Sequence, residues 1–255
     1  MYKYFVVSDV HSAYTPLMNA LIGEGFDCDD HNHKLIVCGD LFDRMDETVK
    51  CFEFVKELQE QGRLVYIRGN HESLLKDCVE EIRRGRLPGY HHFGNGTVKS
   101  VCQFCGQNEW IIYDPTWTSK ICETMQPVLD FIDKNCVDYY EVGNYIFTHA
   151  WLPTYAHLGD FRDADKSDWE EARWLNGMDM WCNPKNRVKG KIIVCGHWHV
   201  NWGHARIHQE CSEWGDDAIF EPFVDEGITA IDSCVAYSGK INCIVIEDED
   251  VGGRV

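Results

Sequence analysis

Long apolar runs are missing from this chain of 255 residues. A membrane-spanning helix needs about 20 consecutive, mostly apolar residues, and no run here reaches even about 18. The first apolar run, in MYKYFVVSD, is very short and meets Asp9 at once. We therefore predict a strand there and no secretory signal peptide, and we expect no membrane partner.

Positive charge is also scarce. The chain has 24 Lys and Arg against 42 Asp and Glu, which gives a formal net charge of −18. An acidic surface repels nucleic-acid phosphates and anionic lipid head groups, so we expect neither as a partner. A phosphate can therefore bind this chain only at a local positive site, which must outweigh the negative electrostatic field of the whole protein.

A second C-x-x-C pair is missing as well. Cys102 and Cys105 form such a pair, but without a second one we favour two unlinked thiols over half of a zinc ribbon. The thirteen cysteines are odd in number, and several, such as Cys38 and Cys195, lie inside apolar runs. With no export signal, this usage predicts reduced thiols and a cytoplasmic protein.

What the chain does have is a series of strand-like apolar runs that end in Gly, Asp or His, at 3–9, 34–40, 63–69, 144–149 and 191–197. Helical patterns follow the first three, at about 15–25, 46–61 and 72–84. This alternation predicts a largely parallel α/β sheet in the N-terminal half.

The segment from about 86 to 120 is rich in Gly, His and aromatic residues, and we predict an irregular, lid-like excursion. The C-terminal third has strand patterns. Because we find no repeat and no linker, we predict one domain over 1–255. We expect four histidines outside the motifs to be solvated or to line a substrate rim: His91, His92, His204 and His208.

Polar side chains follow almost every apolar run at the point where it ends. They are Asp9 and His11; Asp40, Asp43 and Arg44; Asn70 and His71; His149; and His197 and His199. In open α/β sheets, ligands bind outside the carboxyl ends of the strands. One Asp or His after a strand is a weak signal, but five such ends in order predict a metal site.

These strings resemble the calcineurin-like metallophosphoesterases, and within them the phosphoprotein phosphatases. The similar motifs are D-x-H, G-D-x-x-D-R, R-G-N-H-E, a lone His and a late G-H, with NGTVKS and IDSCVAYSGKI similar to bacterial members. Three residues depart from the branch: Ser12 and Met45 stand where Gly is usual, and His199 gives G-H-x-H.

The resemblance implies a fold of four layers, α/β/β/α, in which two mixed sheets lie between outer helices. It also implies two metal ions, which could be Mn, Fe or Zn. One ion would be held by Asp9, His11, Asp40 and His199, and the other by Asp40, Asn70, His149 and His197. Asp40 would then bridge the two ions, and a hydroxide between them would attack the phosphorus.

The same resemblance gives roles to four further residues. His71 would be the general acid that protonates the leaving oxygen, oriented by its partner Asp43. Arg44 has a guanidinium that matches phosphate oxygens. Arg173 stands at the chain position where bacterial relatives carry a phosphate-binding arginine, and Asn70 would also contact substrate.

The leading function is hydrolysis of phosphomonoesters, as in serine/threonine protein phosphatases, on a phosphorylated small molecule or phosphopeptide. One alternative is hydrolysis of a dinucleoside polyphosphate such as diadenosine tetraphosphate. An alternative of another class is a non-catalytic, metal-bound module that binds a phosphorylated partner. His71 and Arg44 argue against that module, because a binder needs no proton donor.

Overall fold

The computed structural model describes residues 2–154 and 159–248. Its strands are β1 (Tyr2–Val7), β2 (His33–Cys38), β3 (Leu64–Ile67), β4 (Cys136–Val137), β5 (Tyr139–Val142), β6 (Tyr145–Thr148), β7 (Ile192–Cys195), β8 (Phe223–Asp225), β9 (Ile228–Ala230) and β10 (Ile244–Asp248). The α-helices are α1 (Tyr14–Gly23), α2 (Thr48–Glu60), α3 (Asn70–Arg83), α4 (Tyr90–Gly94), α5 (Thr97–Phe104), α6 (Thr118–Asn135), α7 (Lys166–Ala172), α8 (Gly177–Cys182), α9 (Val200–Gly203) and α10 (Val235–Ser238).

The strands form two mixed sheets of five strands each. The first has the order β10-β1-β2-β3-β4, with β1 to β4 parallel and β10 antiparallel to β1. The second has the order β5-β6-β7-β9-β8, with a parallel centre and an antiparallel strand at each edge. The carboxyl ends of the parallel strands in both sheets supply the residues of the site described below.

Three apolar clusters define four layers. One packs the outer face of the first sheet against α1, α2, α3, α5 and α6. A second packs the second sheet against α7, α8 and α9. The third lies between the sheets, where Val6 and Ile36 of the first meet Phe147 and Val194 of the second. Strands covered on both faces explain the continuous apolar runs of the sequence, and the predicted α/β/β/α sandwich is confirmed.

The first three predicted helices are present with shifted ends. α3 begins at Asn70, directly after the turn at Gly69, and it buries Leu75, Cys78, Val79 and Ile82 at helical spacing. The segment 86–120 was predicted to be irregular, and that prediction was wrong for much of it. It contains α4, α5 and two 3₁₀ turns, because apolar residues such as Val98 and Val101 pack into the first cluster.

The cysteines, the apolar character of the helices and two histidines can also be compared with the sequence predictions. The thirteen cysteines are all free thiols. Within residues 2–154 and 159–248, no helix combines the length and apolar character that crossing a membrane requires. His92 and His204 are buried, at 1% and 8% exposure, so of the two expected places, solvent or a substrate rim, solvent was wrong for both.

Candidate active site

The strand-end residues predicted from sequence lie together where the two sheets meet. Asp9 and His11 follow β1, Asp40 and Asp43 follow β2, and Asn70 and His71 open α3 after β3. His149 follows β6 and His197 follows β7. All are buried except His197, which is partly exposed. The site is thus lined by protein on most sides.

Left-handed backbone conformations are concentrated at these residues. φ is +50° at Asp9, +47° at His11, +55° at Asp40, +79° at Asp43 and +66° at His197. Residues other than Gly, Asn and Asp rarely adopt such φ values. Each left-handed residue costs free energy that the surrounding structure must offset. These tight turns aim consecutive polar side chains into one small volume.

Two glycines permit the close approach of the turns. A Cβ at Gly69 would lie 2.2 Å from Asp40 Oδ1, and a Cβ at Gly196 would lie 2.1 Å from Asp9 Oδ2. Both separations are far below van der Waals contact. Glycine at these positions therefore lets the strand ends touch the carboxylates that line the site.

Asp40 lies at the centre of the site, with donor groups on both sides. Its Oδ2 is 3.9 Å from His11 Nε2 and 3.8 Å from His71 Nε2. Its Oδ1 is 3.4 Å from His149 Nε2. Among the described residues, two sets of potential metal-ligand atoms within 4.8 Å of one another share Asp40: His11, Asp40 and His71, and Asp40, His149 and His197.

Two histidines are oriented by hydrogen bonds on the side away from Asp40. His11 Nδ1 is 3.1 Å from the Phe42 carbonyl, and His149 Nδ1 is 2.8 Å from the Cys38 carbonyl. A carbonyl can only accept, so each Nδ1 carries a proton. His149 Nε2 lies 2.9 Å from Asn70 Oδ1, which is also an acceptor, and a cation between these two atoms would satisfy both. This arrangement is typical of histidines that bind a metal.

His71 and Asp43 form a buried pair. His71 Nδ1 lies 2.7 Å from Asp43 Oδ2, which also accepts from Thr97 Oγ1 at 2.8 Å. Burial lowers the pKa of His71, but the charge of Asp40 and the hydrogen bond to Asp43 outweigh it, so its pKa is raised. The imidazolium form that could donate a proton is therefore favoured.

The pKa values of the two carboxylates Asp9 and Asp40 are shifted in opposite directions. Burial raises the pKa of Asp9 well above its usual value, and the nearby charges of Asp232 and Asp40 raise it further. Burial also opposes ionisation of Asp40, but His149, His71 and His11 outweigh it and hold the pKa of Asp40 below its usual range. Asp9 Oδ1 is buried and has no hydrogen-bond partner. A cation near it would satisfy that oxygen.

A cleft of about 330 Å³ opens beside this centre. Asn70, Arg68, Lys166, Arg173 and Trp174 are among its lining residues. Arg173 is buried, binds Asp138 through its guanidinium and leaves its Nε without a partner. A cavity of about 550 Å³ elsewhere is larger but contains none of the predicted ligands, so we assign the chemistry to the smaller cleft.

Arg44 is exposed on the rim of the site. Its charge contributes to lowering the pKa of His11 and of His197, after burial and neighbouring histidines. The structure thus places Arg44 near the donor groups, as the sequence predicted, with its guanidinium accessible to solvent.

His199 is not part of either donor set in the described residues. Its Nε2 lies 3.1 Å from Glu213 Oε1, and its ring stacks on Trp198 at an interplanar angle of 21°. Trp214 lies on it too, with ring centroids 4.7 Å apart. To hold the predicted metal, His199 would have to use its Nδ1 or move its Nε2 away from Glu213.

Sequence reasoning missed Glu72, which ties two strand ends together. The fully buried carboxylate accepts from the backbone N–H groups of Asp40 at 3.0 Å, Leu41 at 2.9 Å and Gly69 at 2.7 Å. Tyr66 donates a fourth hydrogen bond at 2.8 Å. Its place directly after Asn70 and His71 was the available signal.

The helical segment 97–104 was also missed as part of the site. Thr97 binds Asp43 Oδ2, and Ser100 Oγ accepts from the Asp43 backbone N–H at 2.9 Å. Asp232 is another omission: it is buried, and burial raises its pKa. The NGTVKS and IDSCVAYSGKI strings contain these residues, but the strings do not reveal which side chains turn inward.

A comparison with protein-family models matches residues 2–231 to the calcineurin-like phosphoesterases. The chain belongs to this family. The match confirms the resemblance and makes this calcineurin-like phosphoesterase a metal-dependent phosphoric ester hydrolase. A comparison with curated protein sequences finds no match.

Solved structures are similar in fold at low identity. One, provisionally assigned as a diadenosine tetraphosphatase, is 14% identical with a TM-score of 0.55, over 96% of this chain and 89% of the other. A cold-active protein-tyrosine phosphatase from a psychrophilic Shewanella species is 13% identical with a TM-score of 0.52, over 97% and 76%. At such identity these likenesses show the fold alone.

Proposed function

We propose that this calcineurin-like phosphoesterase hydrolyses phosphomonoesters with two metal ions held on either side of Asp40. The observation that carries the proposal is that two donor sets share this one carboxylate. The donors fit the metals: imidazole nitrogens and carboxylate oxygens, with no thiolate, suit Mn, Fe or Zn. The unpartnered Asp9 Oδ1 and the Nε2 atoms of His11 and His149, which face the site, fit as well.

The residues that would hold the ions are Asp9, His11 and Asp40 on one side, and Asp40, Asn70, His149 and His197 on the other. When bound, the ions would supply an activated water and neutralise phosphate charge. His71 is itself a member of the first donor set, so its chemistry allows two roles, ligand or acid. We assign it as the acid, because Asp43 fixes its Nδ1 and favours its protonated form.

The remaining residues would bind and orient the phosphate. Arg44 presents an exposed guanidinium at the rim, and Arg173 lines the cleft beside Asn70. Planar guanidinium groups match phosphate oxygens in pairs. These local cations would counter the formal net charge of −18, which otherwise repels an anionic substrate.

A dinucleoside polyphosphate is the second candidate substrate. Arg68, Lys76 and Lys166 line the cleft beside Arg173 and could contact more than one phosphate. Arg68 and Lys76 pair with Asp133, Lys166 with Glu170 and Arg173 with Asp138, so a polyphosphate would have to replace these partners. Trp174 is 54% exposed and its ring centroid lies 5.9 Å from that of His197, so a nucleobase could stack there. The structural neighbour assigned as a diadenosine tetraphosphatase is consistent with this candidate.

A turnover comparison separates the two candidates. Protein reconstituted with Mn²⁺ would be assayed on p-nitrophenyl phosphate, a phosphoserine peptide and diadenosine tetraphosphate. We expect turnover of the first two. A kcat/KM for diadenosine tetraphosphate that is higher by about tenfold or more, about 1.4 kcal/mol in transition-state binding, would favour the second candidate and contradict the first.

A further inference from the structure

A second group of metal-ligand side chains lies outside the active site. His204 and His208 belong to a π-helical turn that follows α9, and Glu210 follows that turn. Their donor atoms lie within 4.8 Å of one another. π-helical turns are rare in proteins and frequent at functional sites. Gln209, which directly follows the turn, has a left-handed backbone conformation with a φ of +58°. This conformation turns the chain so that Glu210 faces the two rings.

Both imidazoles are fixed by hydrogen bonds on one side of the ring. His204 Nε2 lies 3.1 Å from the Glu221 carbonyl, and His208 Nε2 lies 3.1 Å from Asp225 Oδ2. A carbonyl and an ionised carboxylate can only accept, so each Nε2 carries a proton. A carbonyl or carboxylate partner on the outer nitrogen is the usual arrangement of a metal-binding histidine.

The other ring nitrogens converge on one oxygen. Glu210 Oε2 is 3.1 Å from His204 Nδ1 and 3.7 Å from His208 Nδ1. With Nε2 protonated, neutral rings would point two lone pairs at a carboxylate oxygen, which is unfavourable without a proton or a cation between them. Tetrahedral coordination with bonds of about 2.0–2.2 Å separates neighbouring donors by roughly 3.3–3.6 Å, close to both distances.

We propose that His204, His208 and Glu210 bind one divalent transition-metal ion, such as Zn²⁺, at a site separate from the Asp40 centre. Two imidazoles and a carboxylate are a common ligand set for zinc, with water as a fourth ligand. The Glu210 side chain is 52% exposed, which provides an entry path, while those of His204 and His208 are 10% and 25% exposed.

The ion would fix a segment that contacts His199. Residues 210–221 lead from the π-helical turn to β8, and Glu213 within them contacts His199 and Arg206. Phe223 of β8 packs against the His208 ring with centroids 4.5 Å apart. Metal binding would therefore link the turn, this segment and the sheet edge, a structural role independent of phosphoester hydrolysis.

Zn²⁺ binding to metal-free full-length protein tests the proposal. Glu210→Gln removes an exposed ligand, and His208→Phe removes both nitrogens but keeps a ring against Phe223. Glu221→Gln is the matched control, because it also removes one negative charge but only the backbone carbonyl of Glu221 contacts His204. Circular dichroism verifies that each variant is folded.

We expect wild-type protein and Glu221→Gln to bind one more Zn²⁺ per chain than Glu210→Gln and His208→Phe, or to bind it at least about tenfold more tightly, since even changes around the ligands cost 10–100-fold in affinity. Zn²⁺ should also raise the Tm of the first pair more than that of the second. Equal stoichiometry and affinity in all four proteins would overturn the proposal. Binding at thiols or at the Asp40 centre is common to all four, so the result is independent of the proposed activity.

Discussion

Replacing Glu72 with glutamine should destabilise the protein strongly, because this carboxylate receives four buried hydrogen bonds. Each Glu72 oxygen accepts two of them. The amide of glutamine can accept with one oxygen only, which can keep the bonds from Asp40 and Gly69. Its NH₂ group would then face the Leu41 N–H, which loses its acceptor, whereas the Tyr66 hydroxyl can turn and accept from it. A hydrogen bond to a charged group contributes about 1.5–3 kcal/mol, so we expect the free energy of unfolding to fall by at least about that amount.

Urea unfolding followed by circular dichroism measures this loss. Domains of ordinary size have a total free energy of unfolding of about 5–15 kcal/mol, so the shift is large enough to resolve. Glu53→Gln is the matched control, since Glu53 is exposed on α2, and surface changes usually fall within about 0.5 kcal/mol. A loss below about 1 kcal/mol for Glu72→Gln would refute the view that this carboxylate holds the strand ends together.

Two predictions concern the site itself. His71→Asn should keep both metal ions and lower kcat by about 10²–10⁴. The loss of kcat should be smaller for p-nitrophenyl phosphate, because its leaving group needs little protonation. Equal losses for all leaving groups, or loss of metal, would contradict the acid role. His197→Ala should remove one metal ion and nearly abolish turnover. His199→Ala should keep both metal ions and measurable activity, because His199 belongs to neither donor set among the described residues and its Nε2 pairs with Glu213. Metal analysis and kcat of the two variants check this, and equal losses would contradict it.

The N-terminal strands and the position of the site could be predicted because both depend on local patterns. Apolar runs covered on both faces mark the strands, and the polar residues after them mark the site at their carboxyl ends. Asp40 and His71 could be named in this way, and the structure brings them together.

Features that depend on contacts distant in sequence could not be predicted. In the sequence, Glu72 looks like an ordinary helix residue, because its contacts with the loop after β2 are visible only in the structure. The 86–120 segment looks irregular because its glycines and histidines obscure the apolar residues Val98 and Val101, which pack into the first cluster. The neighbours of His199 also come from a distant part of the chain, at Glu213 and Trp214.

The central claim is that Asp40 holds two metal ions, and a comparison of the metal content of two variants, Asp40→Asn and His11→Ala, tests it most directly. Both variants are reconstituted with Mn²⁺, and turnover is recorded on the same samples. Asp40 is the one residue that both donor sets share among the described residues, whereas His11 belongs to one. The account predicts that His11→Ala loses up to one ion per chain relative to wild type, and that Asp40→Asn loses more than this together with nearly all turnover. Wild-type metal content and turnover in Asp40→Asn would contradict a centre built on both sides of this carboxylate.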